Sequence, residues 1–338
     1  DLWTTPPFAP EIRNDRIYAR GASDDKGNSL IPILAVEALL KSSGNLPVNV
    51  KLFFEGQEEI GSPNLPPFIA AHKEALQCDM VLSADGGQWD EEQPALMVGL
   101  RGLAGVQIDV TGPNRDVHSG MYGGIAINPI RVLSRIIASL HDDTGRITVP
   151  GFYDGVPEVP EHLRAQWQGL AFDHARFLGD VGLSHPAGEQ DRTPLEMIWA
   201  RPTCEVNGII GGYTGDGFKT VLPSKASAKI SFRLVGTQDP HQIRKNFRQM
   251  VTDMLPPDCS VEFSGHGASQ AGAFDTTGKA FEAARTALSE EWPDPAAYIG
   301  CGGSIPIAGH FQDIVDTTPM LIGFGKDDDQ IHSPNEKY

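Results

Sequence analysis

Between Ile17 and Asp85 the chain alternates an apolar stretch of helical spacing with short runs of β-branched and aromatic residues. This alternation restricts what the chain can fold into more than any other feature, because it demands helices packed on a sheet. From Ser29 to Leu40, the residues Leu30, Ile33, Leu34, Val36, Leu39 and Leu40 recur near the helical period, and Gly44 is a stop. Pro32 fits such a helix only in its first turn. Val48 to Glu55 reads as a buried parallel strand, Asn64 to Gln77 as a helix and Met80 to Asp85 as a second short strand. The grammar is βαβ, with acidic residues gathered where strands end.

After Arg101 the pattern changes. Strands are predicted at Gly105 to Thr111, Glu205 to Gly211, Lys225 to Val235 and Cys259 to Ser264, with helices at Asn128 to Leu140 and Asp239 to Leu255. In chain order that is β-α-β-β-α-β, the split βαβ or ferredoxin-like arrangement. Residues 142–203, rich in Pro, Gly and acidic side chains, predict an insertion with little regular structure. From Gly278 the first grammar resumes, with a helix to about Glu290 and a strand at Met320 to Gly325. The expected architecture is an α/β domain with a mostly parallel sheet, in two parts at residues 1–102 and 268–338. An α+β domain at residues 103–267 interrupts it. No internal repeat is present.

Composition removes several function classes. Lys plus Arg at 27 against Asp plus Glu at 44 leaves a net charge of −17, which repels nucleic acid and anionic membrane surfaces. No stretch approaches the roughly 18 apolar residues of a membrane span, and no basic-then-apolar leader marks export. Cys78, Cys204, Cys259 and Cys301 form no C-x-x-C pair, so reduced thiols in a cytoplasm are the simplest reading. The chain opens at Asp1 without Met and closes at Tyr338 just after a motif, as a segment of a longer polypeptide would.

The acidic clusters carry the chemistry. In open α/β sheets, ligands and catalytic groups collect at the carboxyl ends of strands. Asp24 and Asp25 lie in the turn before the first helix, Glu58 and Glu59 follow a strand, Asp85 ends the next, and His332 follows the last. Carboxylates that close raise one another's pKa unless cations neutralise them, so divalent metal is the natural occupant. Oxygen ligands with an imidazole suit zinc, with manganese and cobalt as neighbours in preference. A carboxylate can bridge two such ions about 3.5 to 4 Å apart, and water between them is acidified into a nucleophile. Of the adjacent Glu58 and Glu59, one can ligate metal while the other serves as general base. Singly, each residue has a plainer reading: a helix cap for Asp24 and Asp25, solvated charge for Glu58 and Glu59, a turn for Asp85, a surface ring for His332. Their conjunction at successive strand ends favours the metal.

The ordered segments YARGASDDKGN, FFEGQEEIGS, VLSADGG, DVHSGMYGG, GGYTGDGFKTVLP, KISFRLVGTQDP, CGGSIPI and DDDQIHSPNEK resemble one family over nearly the whole chain. It is that of the co-catalytic di-zinc metallopeptidases: carnosinase, cytosolic nonspecific dipeptidase, carboxypeptidase G, aminoacylase and succinyl-diaminopimelate desuccinylase. The WTTPPF opening and HSPNEK ending are most similar to the dipeptidases. The resemblance implies a zinc-peptidase catalytic domain with a lid that forms a homodimer, two zinc ions and a small peptide substrate. It implies that Asp24 bridges the ions and precedes a strained peptide to Asp25, for which a cis bond is one option, that Glu59 and His332 complete one ion's ligands, and that Asp85 binds the other. Glu58 is then the general base. His118 would reach the partner subunit's site to stabilise the oxyanion, Arg233 would hold the substrate carboxylate, and Gly302, Gly303 and Ser304 would approach the substrate terminus. In this family Asp at the Asp85 position marks aminopeptidase- or dipeptidase-like members and Glu carboxypeptidase-like ones, so the resemblance favours a dipeptidase.

Two departures stand out. The His-x-Asp motif that the family places shortly before WTTPPF is not in this sequence, and Gly300 and Cys301 occupy the place of the Arg-Glu of many dipeptidases. The alternatives are therefore an N-acyl-amino-acid deacylase or desuccinylase, and, from another class, a catalytically incomplete metal-binding or dimerising homologue.

Overall fold

The computed structural model describes residues 2–273, 278–303, 306–317 and 319–338. Ser304 lies outside the described residues. A short antiparallel hairpin, β1 (Glu11–Arg13) and β2 (Arg16–Tyr18), leads into a wide helical turn at Ala22–Gly27 and then α1 (Asn28–Ser43). Gly44 ends α1 with φ +76°, the left-handed region that glycine enters without a Cβ penalty. Because α1 starts directly after the wide turn, Pro32 sits one turn inside it, where its absent N–H removes the bond to the Asn28 carbonyl.

The sheet of the first unit is built from β3 (Val81–Ser83), β4 (Ala95–Leu100), β11 (Gly272–Ala273), β12 (Ala297–Cys301) and β13 (Pro319–Leu321). β12 runs parallel to β4 and β13 parallel to β3. Antiparallel pairing is confined to β11 on β4 and the single pair Leu321 with Met97. The expected strand at Val48 to Glu55 is corrected: residues 48–55 have no ladder in the described structure. Their alternation is real, since Phe53 packs edge-on against Phe311 while Val48, Val50, Leu52 and Phe54 face outward. A strand needs a neighbour as well as a pattern, and the described partner of β3 is β13.

The second unit is a four-stranded antiparallel sheet in the order β10 (Ser260–Ser269), β5 (Gly102–Thr111), β9 (Lys225–Leu234), β7 (Thr203–Gly211). Helices α5 (Pro129–Ala138) and α9 (Pro240–Asp253) pack on it through Val132, Ile136, Ile243, Phe247 and Val251. Both helices begin alike. The side chains of Asn128 and Asp239 accept amide hydrogen bonds from Ile130 and His241, and a proline follows each cap. This is the split βαβ order expected from the sequence. A separate ribbon pairs β6 (Val117–His118) with β8 (Val221–Leu222).

Residues 142–203 are more regular than expected. They carry α6 (Glu161–Gly169), α7 (His174–Gly179) and α8 (Pro194–Trp199), the last opened by a capping box between Thr193 and Glu196. Val159, Trp167, Leu170 and Leu195 join Leu96, Ala297 and Met320 in one core, and the Trp167 indole donates to the Tyr298 carbonyl at 3.0 Å. Two buried acidic residues of the segment are neutralised by arginines. Buried Glu189 pairs with buried Arg201, and Glu196 with Arg164. Among the described residues no helix is long and apolar enough to cross a membrane.

Candidate metal centre

Four chain turns bring the carboxylates and the imidazole together. Asp24 sits in the wide turn ahead of α1, Glu58 and Glu59 open a short 3-10 turn at Glu58–Ile60, Asp85 follows β3, and His332 lies in the closing loop with φ +60°. The His332 Nε2 atom is 3.0 Å from Asp24 Oδ2 and 3.2 Å from Glu59 Oε2. Ligand atoms of Asp24, Glu59 and His332 all lie within 4.8 Å of one another, a group able to hold a metal ion. The Asp24–Asp25 peptide bond is cis.

The electrostatics match such a concentration of charge. Burial and then the charges of Asp25, Asp24, Glu58 and Glu59 push the Asp85 carboxyl up to about 7. Burial, followed by Glu59, raises both Asp24 and Glu58 above the ordinary carboxylate range. Asp25 is raised chiefly by burial, and its Oδ1 has no hydrogen-bond partner among the described residues. Burial of His332 opposes its protonation, but Glu59 and Asp24 outweigh it and raise its pKa. Carboxylates held together at this cost are the environment a divalent cation relieves, and two carboxylates with an imidazole are ligands that suit zinc. The donor set fits a metal.

The profile of "Peptidase family M20/M25/M40" matches residues 1–338. The chain belongs to this peptidase family. It is 30% identical over 343 residues to the Cys-Gly metallodipeptidase dug1 of Schizosaccharomyces pombe, covering 100% of this chain and 72% of that protein. It is 31% identical over 346 residues to the Beta-Ala-His dipeptidase of Rattus norvegicus, covering 100% of this chain and 70% of the relative. Among solved structures, an M20 family metallo-carboxypeptidase, Sso-CP2 from Sulfolobus solfataricus, superposes with a TM-score of 0.87 at 30% identity, covering 99% of this chain and 76% of that one.

Other residues singled out in this M20 chain occupy two further places. On β9, Arg233 lies across from Leu103 of β5. Its charge, after the larger effect of burial, helps lower the Arg101 guanidinium to about 10. Arg101 in turn donates from Nε to the Gly302 carbonyl at 2.9 Å, and its amide to the Gly303 carbonyl at 3.0 Å. A Cβ on Gly302 would come within 3.0 Å of Arg101 Nη2 and 3.3 Å of Ile198, so this loop is shaped around glycine. At Gly300 the backbone is close to a neighbour: a Cβ there would lie 2.5 Å from that of Trp199. Burial raises the Cys301 thiol, and Asp85, Arg101 and Arg233 all act on it, which links the carboxylate side of the site to the guanidinium side. His118 stands apart in its ribbon, where Nδ1 accepts from the Gly120 amide at 3.0 Å and Nε2 meets Thr220 Oγ1 at 3.1 Å.

Sequence reasoning passed over Asn28, Arg101, Asp329 and Glu336. Asn28 Nδ2 donates to the carbonyls of Ser23 at 3.4 Å and Gly86 at 3.2 Å, and so joins the turn of Asp24 to that of Asp85. Both Asn28 and Glu336 stand in the motifs SDDKGN and HSPNEK, which was the available signal.

Proposed function

We propose that this M20 peptidase hydrolyses the amide bond of dipeptides, and that Asp24, Glu59, His332 and Asp85 are its metal ligands. The observation that carries the reading is the convergence of Asp24, Glu59 and His332 within 4.8 Å from three distant parts of the chain. If two ions bind, Asp24 would be a ligand common to both, Glu59 and His332 would complete one set, and Asp85 would belong to the other. Zinc suits these ligands best, with manganese or cobalt as substitutes. When bound, the cations would supply a polarised scissile carbonyl and an acidified water. Glu58 takes the proton of the attacking water and delivers it to the departing amine, a task its raised pKa suits. Arg233 holds the substrate carboxylate by a two-pronged hydrogen bond, with the Gly302 and Gly303 backbone beside it. His118, exposed on its ribbon, donates to the oxyanion in the partner's site of a homodimer. Its contacts are with Gly120 and Thr220 of the inserted unit, which favours a role across subunits. The four free thiols support a cytoplasmic setting.

The similarity to a metallo-carboxypeptidase favours a second reading, in which the amino side of the substrate is longer or blocked. Both readings use the same carboxylate-binding guanidinium. An assay of free dipeptides against N-acyl amino acids and N-blocked dipeptides, with and without chelator, separates them. The proposal expects chelator-sensitive hydrolysis of the free dipeptides; preference for blocked substrates would replace it with the deacylase or carboxypeptidase reading.

A further inference from the structure

Glu336 has no exposed surface, yet it is a carboxylate four residues beyond His332. Its burial is accounted for by donors. Oε2 accepts from the Gly21 amide at 2.9 Å and from Arg20 Nη1 at 3.0 Å, while Oε1 accepts from the amides of Ser23 and Asp24, each at 3.0 Å. Four donors occupy both oxygens, so this carboxylate is committed to the turn and is not spare as a metal ligand. Gly21 takes φ +74°, which aims successive amides inward as an anion-binding concavity.

The grip is reinforced on both sides. Ser23 Oγ donates to buried Asp329 Oδ2 at 2.9 Å, and the Lys337 ammonium reaches Asp329 Oδ1 at 3.1 Å. The backbones of Ile17 and Tyr338 exchange two hydrogen bonds of 3.0 Å, and the Ala19 amide donates to the Glu336 carbonyl at 3.1 Å. The closing segment therefore lies as a strand along residues 17–19 and projects Glu336 beneath the turn that carries Asp24.

We propose that Glu336 is a positioning residue: its carboxylate clamps the backbone of residues 21–24 and holds Asp24 in a metal-receiving place before any metal arrives. The closing segment then serves the centre twice, through the ring of His332 and through the clamp of Glu336. This rests on the assignment of Asp24, Glu59 and His332 as ligands. It goes beyond that assignment by giving the backbone of the turn, which touches no ion, a share in metal affinity. Partners that orient ligands from outside a metal site typically contribute about 10- to 100-fold in affinity.

The test is zinc titration of the full chain against a chromophoric competitor, with hydrogen exchange of the metal-free protein. In Glu336→Gln one carboxylate oxygen becomes an NH₂ group that must face donors, so zinc affinity should fall roughly 10- to 100-fold. Exchange at Gly21, Ser23 and Asp24 should quicken. Glu189→Gln removes an equally buried carboxylate from its arginine elsewhere, and should lower the melting temperature while leaving zinc affinity unchanged. Equal zinc affinity in wild type and Glu336→Gln overturns the clamp. So does wild-type protein whose three amides exchange at the open-chain rate until zinc is added, a result independent of whether the variant folds. Wild type that takes up no zinc while these amides are protected overturns the ligand assignment beneath the proposal instead.

Discussion

The inserted α+β unit and the unit that carries the carboxylates are built in opposite ways. In the former, β5 pairs along its length with both β9 and β10, and Ile108, Ile136, Phe232 and Phe247 have no exposed surface. In the latter, β3 and β13 are three residues long, Leu34 of α1 is half exposed, and Val48, Val50, Leu52 and Phe54 point outward. What holds its loops in place is polar: Asn28 between two turns, Asp329 on Ser23, Glu336 on three amides. Close packing resists deformation without preferring any particular atom, whereas directional hydrogen bonds can hold a few ligand atoms where they are needed. The comparison gives the inserted unit one continuous hydrophobic core, and the other unit separate smaller cores with polar ties around the carboxylates.

Substitutions should therefore fail different assays in the two regions. The largest effect is expected for Glu58→Gln, which should lower kcat by roughly 10²- to 10⁴-fold with bound metal and melting temperature preserved; steady-state kinetics beside elemental analysis check this. Undiminished turnover would remove Glu58 as the base. His118→Ala should cost about 10²- to 10³-fold. If it acts across subunits, mixing inactive Glu58→Gln chains with His118→Ala chains should restore activity, because one site of the mixed dimer is whole; an inactive mixture contradicts the trans role.

Phe247→Ala belongs to the other region and should destabilise the protein by about 3 to 5 kcal/mol in denaturant unfolding, without altering the zinc affinity of the folded fraction. Loss of zinc affinity there would blur the division. The smallest effect is expected for Leu34→Gln, within about 0.5 kcal/mol, because Leu34 is half exposed already. A cost comparable with Phe247→Ala would mean that α1 is as tightly packed as the inserted unit.

The same contrast explains what could be read from the sequence. The split βαβ unit was legible because its strands alternate and its helices announce themselves with Asn128-Pro129 and Asp239-Pro240. Helix α6 was not, although Val159, Leu163, Trp167 and Leu170 follow a helical period, because prolines and acids dominate the segment, and which arginines pair with Glu189 and Glu196 is settled only in the fold. At Val48 to Glu55 the alternation was visible, but pairing belongs to the neighbours and cannot be read locally. The proposed ligands Asp24, Glu59, Asp85 and His332 could be named from the sequence because their motifs recur in a fixed order, although residues 48–55 ahead of Glu59 form no strand among the described residues. Glu336 and Asn28 act on backbone amides and carbonyls, which carry no sequence signal of their own. The close approach at Gly300 is visible only when Trp199 is placed beside it.

The central proposal is that Asp24 would serve as a ligand to two cations and be needed for both. Zinc titration of this chain and of its Asp24→Asn variant, with circular dichroism to verify folding, tests it most directly. The account predicts two ions per wild-type chain and loss of tight binding at both in the folded variant. Wild-type protein that binds none, or a variant that binds zinc as the wild type does, would contradict it.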